Sequence, residues 1–394
     1  MFLFDKERTG RIKSSHVYEN LPEEIWKISF KQLPIRCAES SPVIDENGNI
    51  YFGSHNGSIY CLDANGVVKW QFVTEYKVYS SPLLVGDKIY IGCNLSTLIC
   101  LNLEGELLWQ YDGYVAFAKQ SKVKRLFVNL FNYVSYDYEF KKFMKINTWV
   151  SPNLVNEQNI AFVFYGLGLV LLDKDSGQVV WQKSLGSPGF HLAGVAVASH
   201  EHNDLIAVCG QHSGLHLFQE DGKLLWKKTA FFKSNAWANP SIDMVEMCIY
   251  HSESYHNKKS ILYKTDLSGQ TIWKREFPFG CRASVAISRK NYIVYLGLNG
   301  TVYLLDKNTG KELYSIAIAS KDRGLWTSPA LMANDHVLIN TKKTVKKGSL
   351  VCLSEKAELV WEIEYAKALS VPVIDSNGFL YSATWAGDFY KFKK

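Results

Sequence analysis

A short recurring motif constrains the fold of this chain more than any other feature. It is a turn that contains glycine, followed four residues later by tryptophan, as in Gly66 and Trp70. The pair returns as Gly105/Trp109, Gly177/Trp181, Gly222/Trp226 and Gly269/Trp273, and in weaker form as Gly310/Tyr314 and Ala357/Trp361. A period of about 40–50 residues is typical of propellers and solenoids, in which each repeat is one supersecondary unit.

The first full repeat predicts four short strands. Apolar runs at 40–45, 49–53, 58–63 and 67–73 are separated by turns that contain Asn-Gly, and the fourth run carries Trp70. Asn-Gly supplies the positive φ angles that tight hairpins need. Four antiparallel strands in one repeat correspond to one blade of a β-propeller.

The ends of the chain predict how the ring closes. Eight blade openings can be counted, but the last, at Ser370-Val371-Pro372, is not followed by a tryptophan strand. The segment around Trp26 has such a strand with no repeat before it. We therefore predict an all-β, eight-bladed propeller over 21–394, in which the N-terminal strand completes the last blade and removes open sheet edges. Residues 1–20 are polar and lack periodicity, so we expect them to form a loose arm.

Composition narrows the function classes. Aromatic residues make up 14% of the chain, which suits sheet, and the net charge of +6 is too small to indicate nucleic acid. We expect the partner to be a protein or an anionic small molecule.

Charges interrupt the first residues and no run of about 20 apolar residues occurs, so we predict a cytoplasmic protein without a membrane span. The eight cysteines form no CxxC pair and are predicted to be reduced and buried.

The aligned blade openings predict which side chains meet at one mouth of the channel. The residues three positions before each opening proline, or its equivalent, are Glu39, Tyr79, Trp149, Leu192, Trp237, Arg282, Trp326 and Leu369. Loops that lead to the same mouth carry His191 and Asn235. Two interpretations stay open at this point. The mouth is either a pocket for a flat or anionic group, or a channel plugged by aromatic residues in which Glu39 pairs with Arg282.

An insertion at about 112–148 separates Trp109 from Trp181, and it should emerge at the same mouth. Its aromatic and basic residues include Lys122, Lys124, Arg125, Phe127 and Phe131. Long insertions in compact domains are usually functional or disordered, and this one is too aromatic for disorder. A lid or protein-docking arm, a packed decoration and a membrane-surface helix are the three interpretations.

The repeat resembles that of the pyrroloquinoline-quinone (PQQ) propeller superfamily. The resemblance rests on Leu172-Asp173, Gly177 and Trp181, and on the matching Leu62-Asp63 of the first repeat. It covers residues 24–394 apart from the insertion. The superfamily includes PQQ- and calcium-dependent alcohol dehydrogenases, and non-catalytic propellers such as a scaffold of outer-membrane protein assembly.

Two functional hypotheses follow from the resemblance. The first is a non-catalytic binding scaffold without cofactor or metal, acting through the mouth and the insertion; the chain has no adjacent cysteines of the kind that stack the quinone in many of the dehydrogenases. The second is a PQQ- and calcium-dependent oxidoreductase acting on an alcohol or sugar. In it, Trp149, Trp237 or Trp326 would stack on the quinone, Arg282 would contact it, and Glu39 and Asn235 would hold calcium.

The histidines at 200–204 fall at a turn, so we predict no metal site there.

Overall fold

The computed structural model describes residues 4–30, 40–74, 76–93, 96–120, 150–186, 193–210, 212–230, 234–255, 258–320, 324–344 and 346–394. In chain order the elements of these ranges are β1 (Glu23–Ser29), β2 (Val43–Ile44), β3 (Ile50–Ser54), β4 (Ser58–Leu62), β5 (Val68–Val73), β6 (Leu83–Val85), β7 (Lys88–Cys93), β8 (Thr97–Asn102), β9 (Leu107–Asp112), α1 (Gly113–Ala118), β10 (Asn153–Val155), β11 (Asn159–Phe164), β12 (Gly168–Asp173), β13 (Val179–Lys183), β14 (Val195–His200), β15 (Asn203–Gly210) and β16 (Gly214–Gln219).

The remaining strands are β17 (Leu224–Lys227), β18 (Ser241–Asp243), β19 (Cys248–Tyr255), β20 (Lys259–Asp266), β21 (Thr271–Phe277), β22 (Ala286–Ile287), β23 (Tyr292–Leu296), β24 (Thr301–Asp306), β25 (Glu312–Ala317), β26 (Ala330–Leu331), β27 (Val337–Asn340), β28 (Lys347–Leu353), β29 (Leu359–Ala366), β30 (Val373–Ile374), β31 (Leu380–Ala383) and β32 (Asp388–Lys393).

These strands form eight four-stranded antiparallel sheets, which are the eight predicted blades. Seven sheets use four consecutive strands, from β2–β5 to β26–β29. The eighth has the order β1-β32-β31-β30, with Trp26 opposite Lys391. The predicted fold and its closure by the N-terminal strand are confirmed.

The repeated glycine and tryptophan belong to two different blade interfaces. The indole N–H of Trp226 donates to the carbonyl of Leu267 in the next blade at 2.8 Å. Gly269 of that same turn has φ +91°, and a Cβ on it would lie 3.0 Å from the Trp226 ring. Each glycine thus accommodates the tryptophan of the preceding blade, and we call this contact the interblade joint. The joint explains why the pair recurs together.

The last joint is completed by the N-terminal segment. Trp361 is 5% exposed, and its indole N–H donates to the carbonyl of Tyr18 at 2.9 Å. The Tyr18 hydroxyl in turn donates to the carbonyl of Gly378 in the eighth blade. Tyr18 therefore takes the position that a turn of the next blade has in the other joints.

Residues 4–18, which we call the arm, cross the channel and line it; the expectation of a loose arm is wrong for them. Arg8 is fully buried and donates to the carbonyls of Ser151, Pro152 and Val195, with distances of 2.9–3.2 Å. Burial lowers the pKa of its guanidinium. Because the bonds of the arm run to backbone carbonyls and amides, they leave no hydrophobic periodicity in the sequence.

Asp5 should make the stability of the arm depend on pH. Burial raises the pKa of this carboxyl to about 6, against the opposing hydrogen bond from the Thr9 amide at 2.8 Å. A raised carboxyl pKa stabilises the folded state below the unfolded value and loses that contribution as the pH rises through the folded value. Between about pH 4 and 6 the wild type should therefore lose about 1–2 kcal/mol relative to Asp5→Asn. Urea unfolding across this range measures the difference, and an exposed control, Asp87→Asn, should show none.

The backbone of the arm bonds near the end of the inner strands that is opposite the predicted aromatic mouth, and the Arg8 side chain reaches from there to the opening residues Ser151 and Pro152. Inner strands such as β22 and β26 begin at the mouth where the linkers between blades enter. The arm bonds to Ile287 and Leu331, the last residues of these two strands.

Among the described residues, no helix is both long and apolar enough to cross a bilayer.

Candidate functional site

One arginine lies over two tryptophan rings at the mouth where the linkers enter. The guanidinium carbon of Arg282 lies 4.2 Å from the ring centroid of Trp237 and 4.2 Å from that of Trp326. These residues precede the inner strands of blades 5, 6 and 7. The blade alignment therefore predicted their order around the ring. We call this end of the channel the aromatic mouth.

Two lysines continue the pattern around the aromatic mouth. The ammonium of Lys342, on the hairpin between β27 and β28, lies 4.5 Å from the Trp326 centroid. The ammonium of Lys367 lies over the ring of Trp385, and the Trp385 amide donates to the Lys367 carbonyl at 2.7 Å. Such cation–π contacts are worth about 0.5–2 kcal/mol, depending on how far the pair is desolvated. Three cations are thus held against indole rings.

Tyr79 and Asn235 have mainly structural positions at this mouth. Tyr79 is 5% exposed and meets His55 edge-on, with ring centroids 4.2 Å apart. The backbone of Asn235 exchanges two hydrogen bonds with that of Ser254, at 2.7 and 3.0 Å. This bridge fixes the linker that leads to Trp237. Trp326 is more accessible, with 39% of its surface exposed.

The other predicted site residues lie outside the described ranges. They are Glu39, Trp149 and His191 of the mouth, and Lys122, Lys124, Arg125, Phe127 and Phe131 of the insertion. The first part of the insertion is described and forms α1, capped by the side chain of Asp112. Phe117 of this helix is buried against Tyr165, with centroids 5.4 Å apart. The insertion is therefore anchored to blade 3 where it begins.

Lys342 and Trp385 were the contributors that the sequence analysis missed. The blade alignment used one linker position per blade, whereas these two residues stand on hairpins between the second and third strands. Those hairpins open at the same mouth. A second alignment, 13 residues after the opening proline, places Lys342, Trp385 and His55 at the same position.

Few of the described residues could act as reactive thiols or as metal ligands. Seven cysteines are described, and all are free and buried, as predicted. Burial raises the pKa of Cys61 to about 11 and that of Cys100 to about 12, which keeps both as thiols near neutral pH. Within the described ranges, no cluster of three or more His, Cys, Asp or Glu side chains could hold a metal ion.

Solved structures share this fold at low sequence identity. BamB from Moraxella catarrhalis aligns with a TM-score of 0.68 and 16% identity, over 95% of this chain and 98% of that one. A europium-containing methanol dehydrogenase aligns with a TM-score of 0.62 and 11% identity, over 86% of this chain and 89% of that one. The computationally designed Ika8 protein aligns with a TM-score of 0.64 and 12% identity, over 94% and 100% of the two chains.

Sequence comparison identifies the family. One curated relative, the beta-alanine-activating enzyme of Danio rerio, is 43% identical over 54 residues, which are 14% of this chain and 5% of that enzyme. A family model described as "Outer membrane protein assembly factor BamB" matches residues 17–132 and 258–387, more than half of the chain. The chain therefore belongs to this BamB-like family of PQQ-type β-propellers.

Proposed function

We propose that this propeller is a non-catalytic scaffold that binds an acidic segment of a partner protein at the aromatic mouth. The observation that carries the proposal is the stack of Trp237, Arg282 and Trp326, with Lys342 on the same ring system. Side chains held in place before binding lose less conformational entropy when a partner arrives. The mouth therefore presents ordered positive charge at one end of the ring.

The geometry of a stacked guanidinium suits carboxylates. Arginine stacks through its planar faces, while its N–H groups donate at the edge, in the plane of the guanidinium. Placed over both indoles, the Arg282 guanidinium can direct in-plane donors at a carboxylate without losing its ring contacts. Lysine ammonium groups such as that of Lys342 add further charge, and the accessible surface of Trp326 adds apolar contact.

The same stack weighs against the alternative in which a quinone stacks on Trp237 or Trp326. A flat cofactor needs an open ring face, and Arg282 already lies 4.2 Å from both centroids. A quinone between these rings would have to displace the arginine that the alternative needs as its contact. The shared fold does not separate the two functions, because both BamB and a methanol dehydrogenase have it.

Binding of a fluorescein-labelled oligo-glutamate peptide tests the proposal. Arg282→Gln and Lys342→Gln should each weaken binding by about tenfold, because a hydrogen bond to a charged group contributes about 1.5–3 kcal/mol. Lys356→Gln makes the same change in net charge on the turn between β28 and β29, away from the aromatic mouth. It should leave the affinity unchanged.

Two results would contradict the proposal. Equal losses in Lys356→Gln and Lys342→Gln would show that the peptide responds only to net charge. A rise in unfolding temperature that requires PQQ and calcium together would support the oxidoreductase instead, since a ligand at 100 times its Kd adds about 2.7 kcal/mol.

A further inference from the structure

Four neighbouring inner strands each donate one backbone N–H to the arm. The amides of Val197, Ile242, Ile287 and Leu331 donate to the carbonyls of Lys6, Glu7, Thr9 and Gly10 at 2.8–2.9 Å. All four amides occupy the same register position in blades 4 to 7, two residues after the opening proline or its equivalent. An inner strand is the edge of its sheet, so this N–H is directed into the channel.

The same position in blades 8 and 1 is occupied by Ile374 and Ile44. The next residues, Asp375 and Asp45, donate within their sheets to Phe379 and Asn49, each at 3.0 Å. Hydrogen-bonded and non-hydrogen-bonded pairs alternate along an antiparallel ladder. The amides of Ile374 and Ile44 are therefore directed into the channel, like the four amides that the arm uses.

Where the arm leaves blades 8 and 1, a cavity of about 490 Å³ remains between it and the inner strands. Ile44 and Ile374 line this space together with Phe4 and Lys13 of the arm. Ligand pockets usually measure about 300–1,000 Å³, so the cavity is large enough for a specific ligand. We call it the arm cavity.

The rim of the arm cavity favours a cationic group. It carries the carboxylates of Asp45, Glu46 and Asp375 against the single ammonium of Lys13. Two of these carboxylates are held in place by hydrogen bonds from residues of the same turn and of the strand that follows it. Asp45 accepts hydrogen bonds from the Asn49 amide and the Tyr51 hydroxyl, and Asp375 accepts the equivalent pair in blade 8. Fixed carboxylates of this kind can bind a cation at little further entropic cost.

We infer that the arm cavity binds a peptide segment of a partner protein, with a lysine or arginine placed against the three carboxylates. The peptide carbonyls would accept hydrogen bonds from the amides of Ile44 and Ile374, as the arm carbonyls accept them from the equivalent amides of blades 4 to 7. The arm itself shows that a peptide backbone can reach the edge amides of successive blades, with Arg8 and Gly10 in the left-handed region of φ. The site lies at the opposite end of the channel from the aromatic mouth, so it stands independently of the proposed function.

A peptide with the arm sequence tests the inference, because its backbone is known to fit such strand edges. The probe is a fluorescein-labelled, amidated peptide of residues 6–10, Lys-Glu-Arg-Thr-Gly. Ile44→Pro removes the channel-facing N–H, and proline is tolerated at sheet edges where the N–H is not part of the ladder. Binding should weaken by about fivefold to tenfold. Leu84→Pro, at the same register position of blade 2, is the matched control and should bind like the wild type.

Charge removal provides a second variant that does not affect the backbone. Glu46→Gln should weaken peptide binding by about threefold, since an exposed ion pair contributes up to about 1 kcal/mol. Asp87→Asn, on the corresponding turn of blade 2, should have no effect. Unchanged affinity in both Ile44→Pro and Glu46→Gln would overturn the inference, as would equal losses in the two controls. Arginine amide should bind at least tenfold more weakly than the peptide; equal binding would indicate a site for small cations.

Discussion

Replacing Trp361 with alanine should lower the free energy of unfolding by about 3–5 kcal/mol, the usual cost of truncating a large buried aromatic residue. Trp361 is 5% exposed and packs in the core shared by blades 7 and 8 and the arm. The change also leaves the carbonyl of Tyr18 without the indole donor. Urea denaturation monitored by circular dichroism measures the loss.

A milder change at the same site separates packing from hydrogen bonding. Trp361→Phe keeps most of the ring and should cost less than the alanine variant. Tyr314→Ala is the matched control, because Tyr314 stands at the same repeat position but is 44% exposed. If Trp361→Ala cost no more than Tyr314→Ala, the last interblade joint would not be a principal contact.

Replacing Arg8 with methionine should destabilise the protein by about 2–4 kcal/mol. Each buried acceptor left without a donor costs about 1–3 kcal/mol, and Arg8 serves three carbonyls. The loss is smaller than the sum, because the Val195 carbonyl also accepts from the Asn153 amide group and because a buried charge is removed. Urea denaturation again provides the measurement.

Arg11→Met is the matched control for Arg8→Met. Arg11 also donates to two backbone carbonyls, those of Ile287 and Ser288, but is only partly buried. Water can replace its bonds, so Arg11→Met should cost less than Arg8→Met. Arg8→Lys keeps the charge but lacks the planar set of donors, and it should fall between the wild type and Arg8→Met. A larger loss in Arg11→Met would contradict the central role of Arg8 in docking the arm.

The repeat made the architecture predictable because the same contact occurs at successive blade interfaces. The Gly269 turn must accommodate Trp226, and the Gly105 turn must accommodate Trp70, so the two residue types recur at a fixed distance. The orphan strand at Trp26 then implied the closure of the ring. The sequence also predicted the order of Trp237, Arg282 and Trp326 at the mouth, because each precedes an inner strand by the same number of residues.

The arm and the rest of the site could not be predicted for physical reasons. The arm docks through backbone amides and carbonyls, such as those of Ile287 and Thr9, and these groups are present at every position of any sequence. The arm cavity depends on where the arm leaves the strands, which no motif marks. Lys342 and Trp385 stand on the hairpins between the second and third strands, which the comparison of linker positions did not include.

The path of the arm also bears on the order in which the molecule folds and opens. Tyr18 meets Trp361 across 343 positions of sequence, and β1 pairs with β32 near the other end of the chain. Contacts of such high sequence separation close large loops and form slowly. Blades 1 to 7 can each form from neighbouring strands. The arm bonds to blades 3 to 8 and β1 pairs with the last blade, so their contacts are complete only when the far end of the chain has folded. Their docking is therefore a late step, and their release is the natural first step of local unfolding.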